Sequence, residues 1–159
     1  MPESLEQEVV RLLTERRLTL AVAESCTGGL VGHRITNVPG SSACFRGGVI
    51  AYHNEVKAAL LNAPADLLAR EGAVSEGVAV TMARTVRERL GADIGLAVTG
   101  IAGPAGGTPE KPVGLVYIAL ADSEGAVAQR HVWSGDRRQN KESSADAALK
   151  LAKEHLLSP

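Results

Sequence analysis

Leu18-Thr19-Leu20-Ala21-Val22-Ala23-Glu24-Ser25-Cys26-Thr27-Gly28-Gly29 is the stretch that decides the fold. Leu18 to Ala23 is a mostly apolar run of strand length, and it stops abruptly at a polar cluster that ends in glycines. From Gly28 to about Thr36 the pattern turns helical. A buried strand, a tight polar turn and a helix in that order open an α/β sheet, and in such sheets ligands bind beyond the carboxyl ends of the strands. Ser25 therefore stands where chemistry is expected.

Upstream, Ser4 can cap a helix reaching about Arg17. Leu5, Val9, Leu12 and Leu13 form its apolar face, and Gln7 is placed to close a capping box. Downstream, Asn37 to Ser42 links to a second strand ending near Tyr52. Asn54 is a good N-cap for a short helix, and Pro64 to Arg70 reads as another, ending near Gly72. Ser75 begins a longer helix whose apolar residues Val78, Met82, Val86 and Leu90 share one face, with Gly91 just past its end. Ile94 to Val98 is a third strand, followed by a loop from Thr99 to Gly107. Val113 to Ala121 and Ala126 to Trp133 form an antiparallel hairpin across Asp122 to Gly125. A final helix runs from about Arg137 to Leu157. This order predicts one domain over residues 1–159, a three-layer α/β/α sandwich with a mixed, mostly parallel sheet.

Composition narrows the function. The chain has 159 residues, 17 Lys+Arg against 18 Asp+Glu, and 3% aromatic residues. A balanced charge gives no global attraction to nucleic acid or an anionic membrane, and so few aromatics make no base-stacking surface. No basic leader, and no apolar run of about 18 residues, is evident, so a cytoplasmic protein is expected. Cys26 and Cys44 have neither the number nor the spacing of a disulfide framework or a zinc site, and no metal is expected.

Several residues carry both a chemical and a structural reading. Ser25 sits on a sharp turn where its hydroxyl can act as a nucleophile; equally, Ser25 or Thr27 can cap the following helix. Cys26 is a rival nucleophile or a small buried apolar residue. His33, His53, His131 and His155 have no spacing that suggests a triad or metal ligands. Lys57 falls in the first turn of its helix, where the dipole and burial would favour the neutral amine, a base for Ser25. Its alternative is a solvated first-turn lysine. Tyr52 can relay or orient the proton. The Thr99 to Gly107 loop offers unobstructed amides to an anion, with Thr99 adding a hydroxyl donor, or is simply a turn. Arg137 can fork to a phosphate or pair with Asp136 or Glu142. Arg137 to Lys141 is the one local basic run and reads as a solvated helix face.

Six blocks together resemble the CinA C-terminal domain family: Ala23 to Gly29, Tyr52 to Lys57, Gly72 to Glu76, Thr99 to Pro104, Lys111 to Gly114 and Ser134 to Arg137. The resemblance covers about Leu18 to Leu157, in the family's order. It implies a nicotinamide-nucleotide amidase in the stand-alone form, without the larger N-terminal domain to which many relatives are fused. Such an enzyme converts nicotinamide mononucleotide to nicotinic acid mononucleotide and ammonia in pyridine-nucleotide salvage, with no cofactor. By motif the resemblance assigns a serine–lysine mechanism to Ser25 and Lys57, with Tyr52 beside them. It implies substrate contacts at Cys26, Thr27, Gly28, Ser42, Thr99, Gly100, Ala102, Gly103 and Arg137. Lys141 stands where the family pattern leads one to expect arginine. A mononucleotide substrate and a homodimer are the expected partners, with no nucleic acid and no membrane. The alternative is a non-catalytic nucleotide-binding regulatory module linked to competence or DNA-damage responses.

Overall fold

The strand residues of this chain alternate in size as well as in direction, and that alternation builds three layers. The computed structural model describes residues 2–159. Its elements are α1 (Leu5–Arg16), β1 (Leu20–Glu24), α2 (Leu30–Thr36), a 3-10 turn (Ser41–Ala43), β2 (Phe45–Ile50), α3 (Asn54–Leu61), α4 (Ala65–Glu71), α5 (Glu76–Arg89), β3 (Ile94–Gly100), β4 (Leu115–Ala121), β5 (Ala126–Val132) and α6 (Arg137–Leu157).

The sheet is mixed and five-stranded, in the order β2-β1-β3-β4-β5. β1 pairs in parallel with β2 and β3, whereas β4 runs antiparallel to both β3 and β5. One face presents Leu20, Val22, Ile94, Leu96, Val98, Val116, Ile118 and Leu120 to α1, α2 and α6. The other presents mainly alanines, Ala21, Ala23, Ala97, Ala119 and Ala121, and packs against α5. Small residues let α5 approach closely. At Gly95 a Cβ would collide with the Ala83 carbonyl of α5 and lie 2.8 Å from Arg87 Cβ, so only glycine fits there.

The helix ends largely follow the local signals. Ser4 and Gln7 close the expected capping box on α1, Ser75 caps α5 by accepting from Val78 N, and Asp136 with Gln139 caps α6. At α3 the cap lies one residue earlier than Asn54. His53 Nδ1 accepts from Glu55 N at 3.3 Å, and Asn54 is already helical. β3 also runs two residues further than expected, taking Thr99 and Gly100 out of the loop. They extend the ladder to Tyr117 and Val116.

The carboxyl ends of β1, β2 and β3, the start of β4 and the end of β5 all lie at one edge of the sheet. β1 is the switch point, because the chain leaves it for β2 on one side and β3 on the other. The first turn of α6 closes over the same edge.

Candidate active site

Glu24 ends β1, and its carboxyl is buried, with 2% of the residue exposed. Its Oε1 accepts from Thr27 Oγ1 at 2.6 Å, Gly29 N at 3.2 Å and Val31 N at 2.9 Å, and its Oε2 accepts from Gly32 N at 3.0 Å. These amides are the donors that an α-helix leaves unpaired at its start. Glu24 therefore caps α2, and neither Ser25 nor Thr27 does. The Thr27 hydroxyl is buried and donates to Glu24. Sequence reading passed over Glu24, although a charge directly after a buried strand is itself a signal of an internal partner.

Ser25 continues the β1–β3 ladder one step, donating its N–H to Val98 O at 3.0 Å, and its carbonyl accepts from Gly28 N at 3.1 Å. The residue is 5% exposed, and its hydroxyl has no hydrogen-bond partner among the described residues. Gly28 makes this turn possible with φ +61.

Lys57 is buried, 2% exposed, which overturns the solvated-lysine alternative. The His53 cap sets α3 so that Lys57 faces inward while Glu55 stays exposed. Its Nζ donates to the Tyr52 carbonyl at 2.9 Å. Burial pushes the Lys57 pKa below the ordinary lysine value, and the neighbouring Cys26 opposes that shift. Burial pushes the Cys26 thiol up to about 11. Cys26 is thus a protonated, packed thiol, and a Cβ at Gly100 would lie 3.1 Å from its Sγ. Among the described residues no hydrogen bond joins Ser25 Oγ to Lys57 Nζ.

Tyr52 meets Lys57 through its main chain and Arg137 through its side chain. Its ring is exposed, and its hydroxyl accepts from Arg137 Nη2 at 2.8 Å. Arg137 Nη1 donates to Gly103 O at 2.7 Å. The ion pairs considered for Arg137 do not form; Arg138 takes Glu142 at 3.3 Å.

The Thr99 hydroxyl donates to Ala73 O at 2.8 Å inside the protein, so it is not a free donor. Ala102 and Gly103 are buried beyond the strand, and their N–H groups have no partner among the described residues. Asn140, missed within a run read as a solvated face, is 1% exposed and donates from Nδ2 to Ala102 O at 2.9 Å. Lys111 Nζ donates to the carbonyls of Glu71 and Val74, tying the same loop to the α4–α5 link.

Lys141 hangs over the serine turn, its Nζ 3.9 Å from where a Gly28 Cβ would stand. With Leu30, Arg137, Arg138 and Glu142 it lines a cleft of about 380 Å³. Ser42 does not belong to this group. It is exposed in the turn before β2, at the amino end of the parallel strands, about 16 Å from the Glu24 end at ~3.3 Å per strand residue. Among the described residues no cluster of three or more His, Cys, Asp or Glu side chains could hold a metal, and no helix is long and apolar enough to cross a membrane.

The fold and these residues define an α/β sandwich domain with a serine turn, a buried lysine and a cationic cleft at one edge of its sheet. The chain belongs to the CinA C-terminal domain family, whose model matches residues 2–156. It is 55% identical over 152 residues to a CinA-like protein of Chlorobaculum tepidum, covering 92% of this chain and 36% of that one. A CinA-like protein of Desulfotalea psychrophila is 49% identical over 155 residues, covering 98% of this chain and 38% of the relative. The chain thus spans little more than a third of the length of these curated relatives. The crystal structure of the competence/damage inducible protein CihA from Agrobacterium tumefaciens superposes with a TM-score of 0.94 at 35% identity, covering 98% of this chain and 95% of that one. The competence damage-inducible protein A (ComA) from Klebsiella pneumoniae subsp. pneumoniae MGH 78578 gives 0.93 at 34% identity, covering 96% of this chain and 94% of that one.

Proposed function

We propose that this domain is an amidohydrolase that converts nicotinamide mononucleotide to nicotinic acid mononucleotide and ammonia, with Ser25 as nucleophile and Lys57 as base. The observation that carries the reading is the burial of Lys57 beside the serine turn, with one carbonyl as hydrogen-bond partner and a pKa lowered by desolvation. A lysine in that state exists as the neutral amine more readily than one in water. In the proposed reaction Lys57 takes the Ser25 proton and Ser25 Oγ attacks the carboxamide carbon. The nitrogen receives the proton and leaves as ammonia, and water then hydrolyses the acyl-serine ester to release the acid and restore Ser25. Unpaired N–H groups of the Ala102–Gly103 segment supply donors for a developing oxyanion. The substrate phosphate lies in the cleft with Lys141 and Arg137, whose charges suit it. Substrate entry draws Ser25 and Lys57 into hydrogen-bond reach.

The reading includes a homodimer, supported by Ile50, Tyr52 and Leu60, which expose apolar surface beside the site. Sedimentation equilibrium of the purified chain reads this directly. The test of the activity is ammonia release from nicotinamide mononucleotide, with product mass, by wild type and Ser25→Ala. Release by the wild type alone supports the amidase.

That no hydrogen bond joins Ser25 Oγ to Lys57 Nζ among the described residues favours one second reading, a nucleotide-binding regulatory module. The names of the Agrobacterium and Klebsiella relatives, which refer to competence and damage induction, are consistent with it. Calorimetric binding of nicotinamide mononucleotide without any ammonia release would select this reading.

A further inference from the structure

The first turn of α6 holds two successive carbonyls of the loop after β3. Asn140 Nδ2 donates to Ala102 O at 2.9 Å, and Arg137 Nη1 donates to Gly103 O at 2.7 Å. The two anchors differ in environment, because Arg137 is exposed whereas Asn140 is 1% exposed. Asn140 is also held from its other end, where Oδ1 accepts from Gly135 N at 3.0 Å. Ser144 Oγ donates to the Asn140 carbonyl at 2.7 Å and accepts from Trp133 Nε1 at 3.0 Å. The side-chain amide thus has a fixed orientation and no freedom to flip.

Holding a carbonyl orients the whole peptide plane. In a trans peptide the C=O and the following N–H point in opposite directions. With Ala102 O turned to α6, the Gly103 N–H is turned away from α6; Gly103 is a buried residue, and its N–H has no partner among the described residues. Backbone N–H groups of buried residues are paired in more than about nine cases in ten, so an unpaired one is a donor available to a ligand. Gly103, at φ +86, has no Cβ to restrict its backbone, so this peptide has alternative orientations if nothing pins it.

We propose that Asn140 is a positioning residue for the reaction, fixing the Ala102–Gly103 peptide so that the Gly103 N–H is preset as a donor to the reacting group. The inference rests on the amidase reading of this site. Asn140 touches the loop and not the substrate, so its loss lowers kcat and leaves KM nearly unchanged.

The test uses two substitutions in the full chain. Asn140→Leu keeps the volume and removes both hydrogen bonds; Asn140→Asp keeps an acceptor for Gly135 N and removes the donor to Ala102 O. In both, amide hydrogen exchange across residues 101–107 is expected to accelerate at least tenfold. The kcat for ammonia release is expected to fall at least tenfold with KM within threefold. For Asn140→Asp the deficit relative to wild type narrows as the pH is lowered, because the protonated carboxyl can donate to Ala102 O. Unchanged exchange in either folded variant overturns the proposal, as does accelerated exchange with unchanged kcat. If the wild type releases no ammonia the amidase reading falls by itself. The exchange result then still decides whether Asn140 holds the loop.

Discussion

The guanidinium of Arg137 donates to the phenol oxygen of Tyr52 at 2.8 Å across 85 residues of sequence. Its other end holds Gly103 O, so one side chain ties the β2–α3 link to the loop after β3. Arg137→Met and Tyr52→Phe both remove this bond, and their effects are expected to overlap. A double-mutant cycle on kcat/KM should return a coupling of about 1 kcal/mol. Strict additivity would mean that the bond contributes nothing to turnover.

Because the Ser25 hydroxyl has no partner among the described residues, removing it leaves none of their buried groups unsatisfied. Ser25→Ala is expected to lower ammonia release roughly 10³-fold or more while leaving the melting temperature within about 2 °C of wild type. Side-by-side assay and calorimetry read both quantities.

The Cys26 thiol, pushed up to about 11 by burial, carries almost no thiolate at neutral pH. Treatment with iodoacetamide at pH 7.5 is expected to leave Cys26 unmodified by mass spectrometry, with full activity retained. Rapid alkylation with loss of activity would transfer the nucleophile's role from Ser25.

Lys57 is expected to serve activity while costing stability. Its folded-state pKa is lowered, so the unfolded chain binds the proton more readily. The desolvation penalty is felt in full below the folded pKa, and stability from this group rises with pH between the folded value and the ordinary lysine value. Lys57→Met is expected to abolish ammonia release and raise the melting temperature at pH 7, by roughly 2–4 °C for each kcal/mol relieved. That gain shrinks as the pH rises toward the lysine range. The wild-type rate should climb with pH as the amine becomes neutral.

Glu24 accepts four hydrogen bonds with its buried carboxyl. Glu24→Gln keeps one acceptor oxygen and turns an amide NH₂ toward the donors of the other, at a cost of about 2–4 kcal/mol. Urea denaturation should show the loss as a lower midpoint with an unchanged slope.

The layers and the element order are legible in the sequence because they rest on local signals. Ser4 and Gln7 lie three residues apart, and the apolar run Leu18 to Ala23 stops at a polar cluster that ends in glycines. The serine turn and the inward lysine follow from the same reasoning joined to a family resemblance. What stays hidden is pairing at a distance. The commitment of Thr99 to Ala73 spans 26 residues, Asn140 to Ala102 spans 38, and Arg137 to Tyr52 spans 85. Hydrogen bonds between loops leave no periodicity behind. The distance of Ser42 from the serine turn is hidden for a related reason: its neighbours in sequence do not disclose which end of a parallel strand it precedes.

The carboxyl of Glu24 fills the place at the start of α2 that many α/β proteins leave open for a phosphate. The main chain there already meets an internal carboxylate, and in the proposed reading an incoming anion finds its counter-charge on α6, at Arg137 and Lys141. Recognition of ligand charge and construction of the serine turn are thereby assigned to different parts of the chain. A change of α6 surface residues can retune which charged molecule is held without rebuilding the turn that carries Ser25.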